Sequence, residues 1–318
     1  MKRTLLYPRQ VAIVILTASV SMAAWQEMST AADFPTKFSN IGSVANTRHN
    51  LTQSTTVPNA SAAMLNVRNN YGEVCVYCHT PHAANTLGVG AKLPLWNRTI
   101  LSTTFTTYSA LNSTTISQTI TQPGANSIAC LSCHDGQTAI DSIVNMPGSG
   151  RYNPAARTTH QETFLDNWRA TGTNPGTTAT QHFALATNPA GGAGEGCKTC
   201  HTGPDGAQVA TDFTAFNIGT DLQNDHPVGI TFPSTSTDFN PTTGTQVGAK
   251  FFDQNSNSRL DKNEIRVYDT GEGFEVECAS CHDPHGVPSG GAGSQFIPTF
   301  MRVDNSSGSG LCLSCHIK

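Results

Sequence analysis

Ten cysteines in this chain fall into five copies of one pattern, each closed by a histidine. The copies are Cys75-Val-Tyr-Cys78-His79, Cys130-Leu-Ser-Cys133-His134, Cys197-Lys-Thr-Cys200-His201, Cys278-Ala-Ser-Cys281-His282 and Cys312-Leu-Ser-Cys315-His316. C-x-x-C-H is the attachment pattern of c-type haem. Its two thiols add across the haem vinyl groups, and the adjoining histidine becomes the proximal iron ligand. Zinc would take the cysteine pairs two at a time to reach four ligands, and five pairs do not divide that way. A redox dithiol has no need of a histidine immediately afterwards. With no cysteine left over, no disulfide is expected, and five covalent haems are.

Those haems need second axial ligands. Of eleven histidines, five are proximal, which leaves His49, His82, His160, His182, His226 and His285. Five haems with two nitrogen ligands each need five distal histidines, so supply exceeds demand by one. His82 and His285 stand three residues after a proximal histidine, in CVYCHTPH and CASCHDPH. Axial ligands sit on opposite faces of the ring, so neither can serve the haem of its own motif. Each would tie a second haem to a short segment stiffened by proline. His226, in NDHPVG, has no C-x-x-C before it and reads as distal. Methionine ligation would raise the potential, but plentiful histidine makes it unnecessary. Iron saturated by two histidines has no open position, which argues for electron transfer rather than catalysis, and so against an enzyme.

A second oxygen-rich pattern runs from Asp253 to Glu264. Asp253, Asn255, Asn257, Asp261 and Glu264 stand at positions 1, 3, 5, 9 and 12 of a calcium loop, with the Arg259 carbonyl at position 7. Position 6 is Ser258 where glycine is usual, so the turn there is strained or different. The flanks, Phe251-Phe252 and Ile265-Arg-Val-Tyr, look like strands rather than EF-hand helices. A calcium-stapled turn is expected.

The elements that position these residues are sparse. Hydrophobic residues make up 37% of the 318 and charged residues only 13%, against about 45–50% and 25% for an ordinary domain. Threonine, serine, asparagine and glycine fill the difference. The expected fold is a mostly irregular multihaem cytochrome c, with short helices at the CxxCH motifs, few short strands and five haems forming the core. Residues 1–32 read as a signal peptide: Lys2, Arg3 and Arg9, then an apolar run over 11–20, then small residues with cleavage after Ala23, Ala24 or Ala32. Residues 33–318 form one pentahaem domain. Residues 99–127 read as exposed loop or short edge strands. Thr159 and Glu162 have capping-box spacing, and His160, Phe164 and Trp168 recur on one helical face. Net charge is −4 for the whole chain, which offers nothing to nucleic acid.

CVYCHTPH, CLSCHDG, NDHPVG, the calcium-like loop, CASCHDPH and the terminal CLSCH, in that order, resemble the extracellular multihaem cytochromes of metal-reducing bacteria. The likeness is greatest to the OmcE type, whose subunits polymerise into haem-lined filaments, and it covers most of residues 40–318. That type has four haems, and Cys197 to His201 adds a fifth. The resemblance implies a secreted electron conduit at the outer cell surface, with copies of itself, redox proteins or extracellular acceptors such as minerals as partners. A monomeric periplasmic carrier is the alternative; pentahaem reductases are longer and keep a five-coordinate haem. If the four-haem core uses His49, His82, His226 and His285, the extra haem draws on His182, leaving His160 to its helix. In the filament family a histidine of one subunit ligates a haem of the next. His49, on a segment ahead of the first motif, is expected to be that donated ligand, with His82, His226 and His285 ligating inside the subunit.

Overall fold

The structure is a computed structural model that describes most of residues 74–145, 216–287 and 298–317, parts of 44–51, and residue 185. The leader over 1–32, the helix expected around His160, His182 and the third motif from Cys197 through Cys200 to His201 lie outside the described residues.

Three α-helices carry three of the motifs: α1 (Ala125–His134), α2 (Cys278–Cys281) and α3 (Gly310–Cys315). A helical turn is what the pattern needs, because residues three and four apart share a face. In motifs one, four and five the histidine N–H donates to the carbonyl of the first cysteine, at 2.8 Å from His79, 3.1 Å from His282 and 2.9 Å from His316. At His282 and His316 the backbone then turns extended, ending the helix on the ligand itself.

Five short strands form one antiparallel sheet in the order β1 (Ile230–Thr231), β5 (Phe274–Val276), β4 (Arg266–Asp269), β3 (Ala249–Phe251), β2 (Gly244–Gln246). β3 and β4 flank the oxygen-rich loop, which therefore joins two strands and not two helices. The β2–β3 turn places Gly248 at φ 78°, a left-handed conformation that costs glycine nothing. On one side of the sheet Phe232, Phe252, Ile265 and Val267 are buried together.

β5 runs straight into α2 through Glu277, and this junction fastens two haem-attachment helices. The Glu277 carboxylate and the Ser280 hydroxyl form a reciprocal capping box at the start of α2. The same carboxylate accepts the Gly124 N–H at the start of α1, at 3.0 and 3.2 Å. The Ser127 hydroxyl of α1 in turn accepts the Cys278 N–H at 2.8 Å.

The described parts of residues 75–98 and 278–302 repeat one local fold. His79 bridges Trp96 as His282 bridges Met301. Thr80 N–H donates to Leu95 O as Asp283 N–H donates to Phe300 O, at 2.9 and 2.8 Å. Asn97 and Arg302 then return their N–H groups to Cys78 O and Cys281 O, both at 2.8 Å. Leu95 (φ 50°) and Phe300 (φ 61°) both sit in the left-handed region.

The remaining apolar interior is divided among small clusters, including Val76, Tyr77 and Ile143; Leu93, Trp96 and Ala125; and Phe105, Leu131 and Leu222. The described part of 99–122 is mostly exposed loop with isolated bridges at Thr106 and Ile120, as expected, apart from buried Phe105 and Thr107, and α1 begins at Ala125. Among the described residues no helix is long and apolar enough to cross a membrane.

The sheet has one close approach that tests this packing. A Cβ on Gly244 would lie 2.2–2.6 Å from the ring of Phe251, which is buried on the neighbouring strand. Gly244→Ala is expected to cost about 1–3 kcal/mol, read as a lowered thermal unfolding midpoint.

Candidate haem-ligand site

Eight cysteines are described, and all are free thiols. They form a sequence in space. Cys78 of motif one and Cys133 of motif two lie within electrostatic reach of each other. Cys130 of motif two and Cys278 of motif four lie close enough to perturb each other directly. Cys281 of motif four and Cys312 of motif five are again within reach. The described attachment points therefore run one, two, four, five.

The histidines are held by their Nδ1 atoms. His79 donates to Pro94 O at 2.7 Å, His134 to Phe216 O at 2.6 Å and His282 to Thr299 O at 2.8 Å. His49 donates to Pro284 O at 3.0 Å and His226 to Pro227 O at 2.9 Å. A carbonyl only accepts, so each of these contacts puts the proton on Nδ1 and leaves the Nε2 lone pair free for a metal. Burial also lowers the pKa of His79, His134 and His282, and takes His49 down to about 4 with His134 adding to the effect. These imidazoles stay neutral, the form that ligates.

Three pairs then stand out. The rings of His79 and His285 are 6.3 Å apart between centres and nearly parallel, at 11°. His134 and His49 are 6.2 Å apart, and His316 and His226 are 6.5 Å apart. Two imidazoles bound to one metal from opposite sides place their centres about 6 Å apart, given metal–nitrogen bonds of about 2 Å and about 1.1 Å from nitrogen to ring centre. Each pair joins one proximal histidine to one distant in sequence.

Two described histidines remain outside these pairs. The His82 side chain makes no ring contact among the described residues and His82 is exposed, while His282 has no second histidine ring against it there. His49 is the ligand expected to leave its subunit; in this single chain it lies against residues of its own chain. Its ring stacks on Phe300 at 4.4 Å, its Nδ1 binds Pro284 O, and it faces His134 of its own chain. His82, expected to ligate within the subunit, is the outward-facing one.

The oxygen-rich loop closes on itself. The Asn255 and Asn257 amides donate to Asp261 Oδ2 at 2.8 and 2.7 Å. The Asp253 carboxylate accepts the N–H groups of Asn257 and Ser258, at 3.2 and 2.8 Å, and the Arg259 N–H goes to Asn257 Oδ1 at 2.8 Å. Buried Glu264 accepts from Gln254 N and Asp261 N. Ser258 takes φ 58°, the left-handed turn that glycine usually supplies at that position. Among the described residues no group of three or more His, Cys, Asp or Glu is arranged to hold a metal ion.

Residues 272–318, which carry motifs four and five, match the family model of the doubled CXXCH motif. That match supports a multihaem c-type cytochrome. Neither the curated proteins nor the solved structures give a match to this chain.

The residues present fit covalently bound haem c. The thiols are free, the histidine Nε2 atoms are available, and three imidazole pairs have axial-ligand spacing. Trp96 adds a further sign: its indole Nε1–H is buried without a hydrogen-bond partner, and the ring lies 5.6 Å from His79. A donor of that kind suits a haem carboxylate. Cys75, Cys78, Cys130, Cys133, Cys278, Cys281, Cys312 and Cys315 would hold the groups, with His79, His134, His282 and His316 as proximal ligands. When bound, haem supplies the one-electron chemistry of its iron. The protein's share is to fix ring orientation, exclude water and set local charge. Arg98, fully buried between motifs one and two, contributes charge: Nε reaches Ser132 Oγ at 3.1 Å, and the terminal nitrogens reach Ile140 O and Ser132 O at 2.8 and 2.7 Å.

Sequence reasoning did not find Glu277. Burial raises its pKa to about 7 against the opposing hydrogen bonds from Ser127 and Gly124. A carboxyl raised in the folded state contributes stability below its unfolded value, and loses it as pH climbs toward 7. Glu277→Gln keeps a carbonyl for Gly124 and removes the titration. The unfolding midpoint of the native chain should fall between about pH 4.5 and 7 relative to that variant, by an amount equivalent to at most about 3 kcal/mol; thermal melts of both proteins across that range check it.

Proposed function

We propose that this chain is an extracellular electron conduit of five haems that polymerises head to tail into haem-lined filaments. The observation that carries the electron-transfer part is the set of three proximal–distal histidine pairs, which leave no iron position open for substrate at those sites. The run of attachment cysteines from motif one through two and four to five supports a continuous path. The split apolar clusters and short elements suit a mostly irregular sheath whose interior is completed by five haems.

What supports assembly is the mismatch between His82 and His282. In the second repeat, the strap Asp283-Pro284-His285 sends His285 to the motif-one haem, while Pro284 O and Phe300 receive His49. The first repeat has the same strap, Thr80-Pro81-His82, and its counterpart of Phe300 is Leu95, which is 55% exposed. Its His82 has no haem to reach in the described part of its own chain. A neighbouring copy offers one at His282. Repeating that bond without ring closure gives an open polymer. His182 then serves the His201 haem of motif three, completing five pairs.

His82→Ala is the test. All haems should remain attached, one iron should become five-coordinate and high-spin, and filaments sheared from the cell surface should disappear. Filaments with wholly low-spin iron in that variant would show that His82 is not the junction, whereas no filaments from the native chain would leave a monomeric periplasmic carrier.

Calcium belongs to the same proposal. Asp253, Asn255, Asn257, Asp261 and Glu264, with the Arg259 carbonyl, would hold it once the Asn255 and Asn257 amides turn their oxygens in place of the nitrogens they now give Asp261. A chelator should lower the unfolding midpoint of the native chain and leave the double variant Asp253→Ala, Glu264→Ala unmoved. Equal melting of the native chain with and without chelator would take calcium out of the account.

A further inference from the structure

His285 differs from five other described histidines in what holds its Nδ1. His79, His134, His282, His49 and His226 all give that proton to a neutral backbone carbonyl. His285 gives it to a carboxylate, Asp283 Oδ1, at 2.9 Å. We propose that Asp283 holds the iron shared by His79 and His285 at the lowest reduction potential of the three histidine pairs described. The inference rests on the haem ligation set out above.

A charged acceptor draws the Nδ1 proton more strongly than an amide carbonyl and makes the opposite nitrogen a more basic ligand. A more basic ligand favours ferric over ferrous iron, so the potential falls. The added negative charge acts in the same direction. Reduction at this site takes one electron from a redox partner or an electrode, converts ferric to ferrous iron, and breaks no bond.

Two cations, Arg302 and Arg266, face Asp283 and oppose this. Arg302 approaches the other oxygen at 3.4 Å, farther than His285, and its guanidinium is committed to Ala279 O at 2.9 Å and Lys262 O at 2.8 Å. Arg266 lies within electrostatic reach, held on Glu264 O and Asp261 O. Arg302 therefore aims the carboxylate and leaves Oδ1 to the imidazole.

The chain contains its own control. In the first repeat the position of Asp283 is taken by Thr80, whose hydroxyl donates to His82 O at 2.9 Å. That strap folds without a carboxylate, with Asn97 in the place of Arg302. The charge of Asp283 is a property of the second strap alone, where it faces buried Arg302. Asp283 is a positioning residue that acts through His285.

The test is Asp283→Asn in the full haem-loaded chain, dispersed as single molecules. The asparagine carbonyl still accepts from Nδ1, and the charge is gone. In a spectroelectrochemical titration the most negative component should move to higher potential while the others hold. Electron paramagnetic resonance should show a shift in the largest g value of one low-spin signal, with the number of low-spin irons unchanged. Asp283→Ala, which removes the acceptor as well, should move the same component in the same direction. An unmoved lowest component in Asp283→Asn, or movement of a different one, would overturn the proposal. High-spin iron in that variant beyond what the equally dispersed native chain shows would overturn it too, by making Asp283 a strut for the ring. Filament loss reports on His82 and has no bearing on this titration.

Discussion

An imidazole can give a metal only one nitrogen, and the other must be held if the ring is to point anywhere. In this chain the holding is done by backbone carbonyls at five histidines and by a carboxylate at a sixth. Each carbonyl at a proximal histidine comes from a segment well away from its motif: Pro94, Phe216 and Thr299. The irregular stretches between motifs are therefore not filler. They deliver single carbonyl groups to fixed points, and regular secondary structure is unnecessary for that. The left-handed Leu95 and Phe300 mark where the chain bends to return such a segment to its motif, a conformation that costs non-glycine residues something and persists only where surrounding contacts over-determine it.

The sheet and the Glu277 junction have a different role. β5 feeds α2, and the Glu277 carboxylate binds the first N–H groups of both α1 and α2, so the attachment points of motifs two and four are set by one side chain. A buried acid is an expensive clamp, and its raised pKa records the expense. Electron transfer depends on the separation of redox centres, so a stiff joint there has more value than stability alone would give it.

Much of the chemistry was legible in the sequence and little of the geometry was. The motifs, the need for distal histidines and the rule that His285 serves another haem follow from covalent and coordination chemistry, which short patterns record. The strands around the oxygen-rich loop were visible in Phe251-Phe252 and Ile265-Arg-Val-Tyr. The internal repeat was only half visible. CHTPH and CHDPH announce it, but the returning segments read Leu93-Pro-Leu-Trp-Asn97 and Pro298-Thr-Phe-Met-Arg302, with no residue shared in register. They repeat because their backbone carbonyls and N–H groups repeat, and a backbone leaves no letter in a sequence. The surroundings of His49 were hidden for a related reason. Its position ahead of the first motif suggested reach, and nothing in the letters announced the carbonyl of Pro284 and the ring of Phe300 that it meets within the chain.

The pairing of His79 with His285 has a consequence for how the molecule comes into being. Ribosomes deliver Cys75 and Cys78 roughly 200 residues before His285 exists, and contacts so distant in sequence form slowly. His49 precedes His134, so the second motif finds its partner already made, and His226 likewise precedes His316. The first motif alone among these three must wait for the far end of the chain. During that interval its histidine has no counterpart, and the surface that will carry His285 is open to any other imidazole nearby. Maturation is then a question of timing as much as of affinity: the earliest motif to emerge is the one of the three that waits longest for its partner.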